Sequence, residues 1–228
     1  MLELLDEIDI FDDQPIVGKQ VVDPSGLVSW KIVEEIINTG KLPIELIESS
    51  GGKVDIPNRN YFWHSNCIQD KKFIFDLIRE GLGFVILEYS RYNKEINDLC
   101  KLIEEYFPVL CDVHIYGGLS NAPSFGPHVD MPPNFIVQVE GTTTWRIFKN
   151  VASDLCSHGE LNDPTIQPQF DLEFEQVLEP GDVIYIPSRR YHQALPSNKR
   201  LSVSIPCRNK KYGPDFALNR NYYTLDKG

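Results

Sequence analysis

The stretch Leu178-Glu179-Pro180-Gly181-Asp182-Val183-Ile184-Tyr185-Ile186-Pro187 runs on through Ser188-Arg189-Arg190-Tyr191 to His192, and its reading decides the fold. Pro-Gly-Asp is turn chemistry. Val183 to Ile186 is an unbroken apolar run of the kind found in buried strands. Pro187 ends that strand, because it has no N–H to give a ladder, and His192 opens the next one. The spacing Gly-x5-Pro-x4-His therefore binds a turn, a strand and an imidazole into one unit. The plain alternative is a β-turn followed by a surface histidine.

Outward from this unit the same texture continues. Residues 111–116, 134–140, 142–148, 170–178, 182–186 and 200–205 all read as strands, rich in Val, Ile, Thr and aromatics and separated by Gly, Pro and Asn. Many short strands joined by such turns predict a mainly β barrel or sandwich. Upstream of about residue 108 helices predominate. Ser29 reads as an N-cap before the stripe Trp30, Val33, Ile36 and Ile37. Asp70 caps a second helix carrying Phe73, Leu77 and Ile78 and ending near Gly81. A third runs from about Asn93, with Ile96, Leu99, Leu102, Ile103 and Tyr106, and stops at Pro108. Phe84 to Leu87 reads as a short strand between them. The expected division is an acidic arm over 1–25, loosely attached, and one domain over 26–228. Within that domain 26–108 is helical and braces the outside, 110–206 is the barrel, and 207–228 is a tail.

Composition sets the outer bounds. The chain has 228 residues, 42% hydrophobic and 24% charged, as an ordinary globular protein does. A disordered tail, a collagen repeat and a coiled coil are excluded. No apolar stretch approaches the roughly 18 residues that cross a bilayer. The first residues, Met1-Leu2-Glu3-Leu4-Leu5-Asp6-Glu7, are acidic where a signal peptide is basic, so a cytoplasmic protein is expected. The net charge of −11 argues against broad nucleic-acid binding and suits a basic protein or peptide partner. It leaves room for a local cationic pocket and says nothing of oligomeric state. The five cysteines form no CxxC pair and read as free buried thiols.

The chemistry lies in Phe125-Gly126-Pro127-His128-Val129-Asp130. In an extended strand residues i and i+2 share a face, so His128 and Asp130 present an imidazole and a carboxylate together. Alone, such a triplet reads equally as a packed core histidine. Joined by His192 it supplies two imidazoles and one carboxylate. That set occupies one face of an octahedral metal and leaves three positions open, which suits non-haem Fe(II). A structural zinc site closes its shell with four ligands, usually including Cys, and no cysteine lies near either motif.

These two blocks, with Phe135-Ile136-Val137-Gln138-Val139-Glu140-Gly141 and Trp145-Arg146, resemble the JmjC-type cupin-like hydroxylases, nearest the ribosomal oxygenase branch. The resemblance spans about residues 70 to 206. It implies a double-stranded β-helix of the cupin or jelly-roll kind, with His128, Asp130 and His192 as metal and catalytic ligands. It also implies Fe(II), 2-oxoglutarate as co-substrate, O2, and a protein side chain as the favoured substrate, with a small molecule as the other possibility. The chain ends soon after Pro206, short of the C-terminal extension of the ribosomal oxygenases, so a single catalytic domain is expected.

One departure stands out. Where the family commonly places a Lys or Arg to hold the distal carboxylate of 2-oxoglutarate, this chain has Thr143. A hydroxyl gives one hydrogen bond and no charge. Arg200 is the candidate substitute, with Ser202 beside it, since residues 200, 202 and 204 share a strand face. Other 2-oxoglutarate oxygenases use a similar Arg-x-Ser pair. An exposed Arg in the 197–200 turn is the alternative. Asn134 resembles an amide that contacts the co-substrate in some relatives. His114, Tyr116, Trp145 and Arg190 are candidate pocket-lining residues, with core packing the commoner role for His114 and Tyr116 and a solvated face the equal alternative for Arg190. His64 and His158 read as ordinary surface or loop residues. Two other readings remain: a metal-binding cupin acting on a directly chelated small molecule without 2-oxoglutarate, and a non-catalytic module of the same fold.

Overall fold

The structure is a computed structural model and describes residues 1–10, 14–40, 42–59, 68–153, 155, 163, 168–197 and 199–209. Expectations for His64, His158 and the tail beyond 209 fall outside these residues. In chain order the elements are α1 (Leu2–Glu7), β1 (Ile16–Gly18), α2 (Trp30–Thr39), β2 (Ile44–Ile47), β3 (Lys53–Val54), β4 (Asn58–Arg59), β5 (Ile68–Gln69), α3 (Lys71–Arg79), β6 (Gly83–Ile86), α4 (Lys94–Tyr106), β7 (Val109–Cys111), β8 (His114–Gly118), β9 (Asn134–Glu140), β10 (Thr143–Val151), β11 (Leu172–Leu178), β12 (Val183–Ile186), β13 (Arg190–Pro196) and β14 (Arg200–Asn209).

Strand pairing is antiparallel throughout. The larger sheet runs β1-β12-β9-β14-β8-β6-β2-β3, with β7 paired to the end of β14, and the smaller runs β11-β10-β13. Between the two sheets lie Ile136, Trp145, Ile147, Ile184, Ile186 and Ala194. The opposite face of the larger sheet offers Phe135, Val137, Tyr185, Val203 and Ile205 to the helices. Strands β9 and β12 are thus buried on both faces, which is why their sequences read as unbroken apolar runs rather than alternating ones.

The three longer helices start where their caps predict. Ser29 Oγ accepts from the Ile32 N–H, Asp70 from the Lys72 and Phe73 N–H groups, and Asn93 Oδ1 from the Ile96 N–H. Val33, Ile36 and Ile37 of α2 and Ile96, Cys100 and Ile103 of α4 turn inward and brace the sheet.

The N-terminal segment differs from the loosely attached arm expected of it. Leu4, Leu5, Ile8 and Ile10 are buried in the main core, and β1 extends the larger sheet by pairing with β12, Ile16 opposite Tyr185. Its acidic and Pro-rich composition hid a short edge strand that gains its conformation only from the partner. The same holds for β2, which pairs with β6, Ile44 opposite Ile86. A run this short is ambiguous between helix and strand until a neighbour supplies the ladder.

Asp182 anchors the segment to the turn. Its buried carboxylate accepts from the Lys19 ammonium at 2.8 Å, the Gln20 N–H at 3.0 Å and the Glu179 N–H at 2.9 Å. Gly181, at φ +93°, sits where an added Cβ would lie 2.9 Å from the Val22 carbonyl oxygen, so only glycine fits. Burial pushes the Asp182 pKa up, but the Glu179 N–H, Lys19 and the Gln20 N–H outweigh it and hold the pKa below the usual 3.8. A carboxyl with a depressed folded pKa stabilises the fold above its unfolded pKa, and that contribution is lost as pH falls below about 3.9. Asp182→Asn is expected to cost about 2 kcal/mol at pH 7. Urea denaturation checks it, and the deficit should shrink when the comparison is repeated near pH 3.

Candidate metal centre

The segment from Asn121 to Asp130 connects β8 to β9 across the mouth of the barrel. The triplet does not lie on a regular strand, as its spacing suggested. His128 instead forms one antiparallel bridge with His192 on β13, its N–H donating to the His192 carbonyl at 3.0 Å and the His192 N–H donating back at 2.9 Å. Val129 is fully buried with Phe148 and Tyr191, and the Asp130 carbonyl accepts from the Arg189 N–H at 2.8 Å. The loop is pinned on both sides of Val129, so His128 and Asp130 face the same way without a ladder. The donor atoms of His128, Asp130 and His192 all lie within 4.8 Å of one another. His192 Nε2 is 3.7 Å from Asp130 Oδ2, and the two imidazole centroids are 4.4 Å apart.

Neighbouring carbonyls set the tautomers. His128 Nδ1 lies 2.8 Å from the Gly126 oxygen and His192 Nδ1 lies 2.8 Å from the Arg190 oxygen. Each Nδ1–H donates to a carbonyl, which leaves the Nε2 lone pair for a metal. Burial, then the nearby His128, pushes the His192 pKa below its usual 6.5, which favours the neutral ring, the form that binds metal. Asp130 is held by a relay: Ser204 Oγ donates to Asn134 Oδ1 at 3.0 Å, and Asn134 Nδ2 donates to Asp130 Oδ2 at 3.2 Å.

The pocket beside this cluster is walled by both sheets and the loop. Tyr116, Ile136 and Ser202 come from the larger sheet, Thr143, Trp145 and Ala194 from the smaller, Ser124 and Phe125 from the loop. Arg200 also lines it and is 3% exposed. Its Nη1 and Nη2 donate to the Ala122 and Pro123 carbonyls at 3.0 and 3.3 Å, and no carboxylate pairs with it among the described residues. Burial lowers its pKa to about 10, leaving it fully cationic at pH 7. Gly118 makes the room: a Cβ there would lie 2.4 Å from Ala122 Cβ and 3.0 Å from Arg200 Nη1. Thr143 Oγ1 and Trp145 Nε1 are buried without a hydrogen-bond partner among the described residues. Burying such groups unpaired costs free energy, and with Arg200 they form a donor set chemically suited to an anionic oxygen ligand.

The structure brings most of the expected residues together. Arg200 takes the inward alternative, with Ser202 and Ser204 on the same face. Asn134 lines the pocket, and both ends of its amide are engaged by Ser204 and Asp130. Tyr116, Thr143 and Trp145 line the pocket. Two expectations are corrected. His114 is not in the pocket wall; its ring is mostly buried and burial lowers its pKa. Arg190 is not in the wall either, because its guanidinium is paired with Glu173 of β11; only its carbonyl serves the site, through His192. Ser204 and Phe125 escaped notice as functional residues. The period-2 face from Arg200 pointed to the first, and adjacency to the His-x-Asp triplet pointed to the second.

Comparison with known proteins agrees with this geometry. The family model described as JmjC domain matches residues 86–213. The "Bifunctional lysine-specific demethylase and histidyl-hydroxylase NO66" of Drosophila yakuba is 30% identical over 193 residues, which cover 79% of this chain and 26% of that protein. Its counterpart in Drosophila willistoni is 33% identical over 127 residues, 55% of this chain and 17% of that protein. The chain therefore spans about a quarter or less of the length of these relatives. Among solved structures, ycfD of E. coli matches with a TM-score of 0.63 and 19% identity, covering 100% of this chain and 60% of that one. YcfD described as a ribosomal oxygenase in complex with cobalt and 2-oxoglutarate matches at 0.58 and 19%, covering 94% and 56%. These likenesses establish the fold: mainly β, antiparallel and cupin-like.

If the three donors act as one set, removing one should leave the other two unable to hold metal. His128→Ala is expected to abolish stoichiometric Fe(II) or Co(II) uptake, read by equilibrium dialysis, while the far-ultraviolet circular dichroism is retained. Asn134→Ala, which frees Asp130 from its relay, is expected to weaken uptake about 10-fold.

Proposed function

The chain belongs to the JmjC domain family, and from that premise we propose that it is an Fe(II)- and 2-oxoglutarate-dependent oxygenase that hydroxylates a protein side chain. The observation that carries this reading is Arg200, a buried cation with no carboxylate partner among the described residues, in the same pocket as the His128, Asp130 and His192 cluster. The donor set suits Fe(II): two neutral nitrogens and one carboxylate, no thiolate, and an open side toward the pocket. The pocket suits 2-oxoglutarate, since Arg200 and the Thr143 hydroxyl, which has no partner among the described residues, offer a cation and a donor to a carboxylate.

Each residue then has a task. His128, Asp130 and His192 hold the metal, and the Gly126 and Arg190 carbonyls keep both imidazoles turned toward it. Ser204 and Asn134 aim the Asp130 carboxylate. Arg200, with Ser202 and Thr143 beside it, binds the distal carboxylate of the co-substrate and fixes its distance from the metal. Phe125, Ile136 and Ala194 keep the pocket apolar and exclude water. Bound there, Fe(II) with 2-oxoglutarate and O2 supplies the oxidising power for C–H hydroxylation.

A directly chelated small-molecule substrate would leave the Arg200 charge without a counterion, which favours the 2-oxoglutarate reading over that rival. The complete donor set favours turnover over a non-catalytic module. A protein substrate is supported by the names of the Drosophila relatives, which speak of lysine demethylation and histidyl hydroxylation. Among the described residues no helix is long and apolar enough to cross a membrane, and we place the protein in the cytoplasm as part of the same proposal.

Adding 2-oxoglutarate to anaerobic Fe(II) protein is expected to produce a weak visible charge-transfer band; metal-loaded protein that never shows one retires the reading. Arg200→Met is expected to weaken 2-oxoglutarate binding about 30-fold, the worth of roughly 2 kcal/mol of charge-assisted hydrogen bonding. The same substitution should leave the thermal stability of the ligand-free protein equal or higher, because an unpaired buried charge is removed.

A further inference from the structure

Strand β13 lies at the edge of the smaller sheet, with β10 on one side. On its other side, among the described residues, the ladder bonds are those of His192 with His128. In an antiparallel ladder, outward-facing backbone groups recur every second residue. With His192 facing outward and the register unbroken from His192 to Pro196, the Ala194 N–H and C=O and the Pro196 C=O also face outward. The chain that could continue the His128 bridge along this edge turns away at Pro127 and Gly126. A cleft follows the vacated edge, with Gln193 to Pro196 on one wall and Ser49 to Gly51, Asn121 and Pro123 to Gly126 on the other. It shares Ser124, Phe125 and Ala194 with the metal pocket.

We propose that this edge is the substrate-docking site, and that an extended peptide of net positive charge adds to β13 as an antiparallel strand continuing the line of His128. Backbone groups set out at ladder spacing call for another backbone rather than a small molecule or a helix. The net charge of −11 favours a basic peptide. Register then selects the reacting residue. Directly opposed residues in a ladder point to the same face, and Ala194 faces the pocket. The peptide residue opposite Ala194 therefore sends its side chain into the pocket, beside the imidazole of His128. Its two neighbours point to the opposite face of the sheet and are free to vary. This deepens the oxygenase reading and rests on it for the chemistry, while the docking geometry rests on the strand edge.

The test uses the full chain loaded with Mn(II) and 2-oxoglutarate and a positional-scanning library of net-positive nonapeptides, with binding read by fluorescence polarisation. The best-bound peptide is then remade with one N-methyl group at each position in turn. Docking on the edge gives a period of two around the centre, with at least a tenfold loss where the methyl replaces an N–H facing β13 and little change at the alternating positions. Hydrogen exchange at the Ala194 amide should slow by at least tenfold when peptide is bound. A uniform N-methyl profile, unchanged exchange at Ala194, or no bound peptide in protein that does bind 2-oxoglutarate overturns the docking site and leaves the oxygenase reading standing. The period of two in protein that fails to bind 2-oxoglutarate does the reverse: the docking site holds and the oxygenase reading falls.

Discussion

Two reciprocal backbone hydrogen bonds between His128 and His192 hold the site together. They tie a loop with no ladder of its own to the end of a strand in the smaller sheet. Because both partners are donor-set residues, the bridge fixes the separation of two imidazoles through the main chain, which is stiffer than any side-chain contact. Everything else at the centre is arranged around that fixed pair. Val129 plugs into the cluster with Phe148 and Tyr191, Arg189 holds the Asp130 carbonyl, and the Gly126 and Arg190 carbonyls orient the rings. The bridge is also where the loop leaves β13, so the same pair of bonds decides where the open edge begins.

The second constraint is electrostatic. Arg200 is buried in a chain of net charge −11, yet no carboxylate pairs with it among the described residues. Two carbonyls and the space left by Gly118 accommodate the guanidinium without neutralising it. Arg190, also buried, is treated differently: it receives Glu173, whereas on the proposed reading the counterion of Arg200 is the co-substrate. A fold holds an uncompensated charge at a cost in stability, and binding sites are where such a cost is recovered.

On the proposed reading, Thr143 and Arg200 mark one task moved within the barrel. Thr143 stands on β10 at the place where the resemblance leads one to look for a cation, and Arg200 supplies that cation from β14 across the pocket. Both line the same cavity, so on the proposed reading the positive charge comes from the facing sheet.

Much of the chain was legible in its residues. The unit from Leu178 to His192 announced a turn, a doubly buried strand and an inward histidine, because turn chemistry and strand burial are local properties. Capping at Ser29, Asp70 and Asn93 placed three helices for the same reason. The donor set itself was readable, since spacing within each motif is a matter of adjacent residues. Only the tertiary structure decided what depends on partners far along the chain. The segment at Ile16 becomes a strand because β12 is beside it. Arg200 points inward because Gly118 and the Ala122 carbonyl make a place for it, and Arg190 turns aside because Glu173 lies across the sheet. His128 and Asp130 face one metal position through a bridge to His192, not through a strand of their own. Local free energies are written in short stretches of sequence; pairing, burial of charge and register are set by contacts between distant ones.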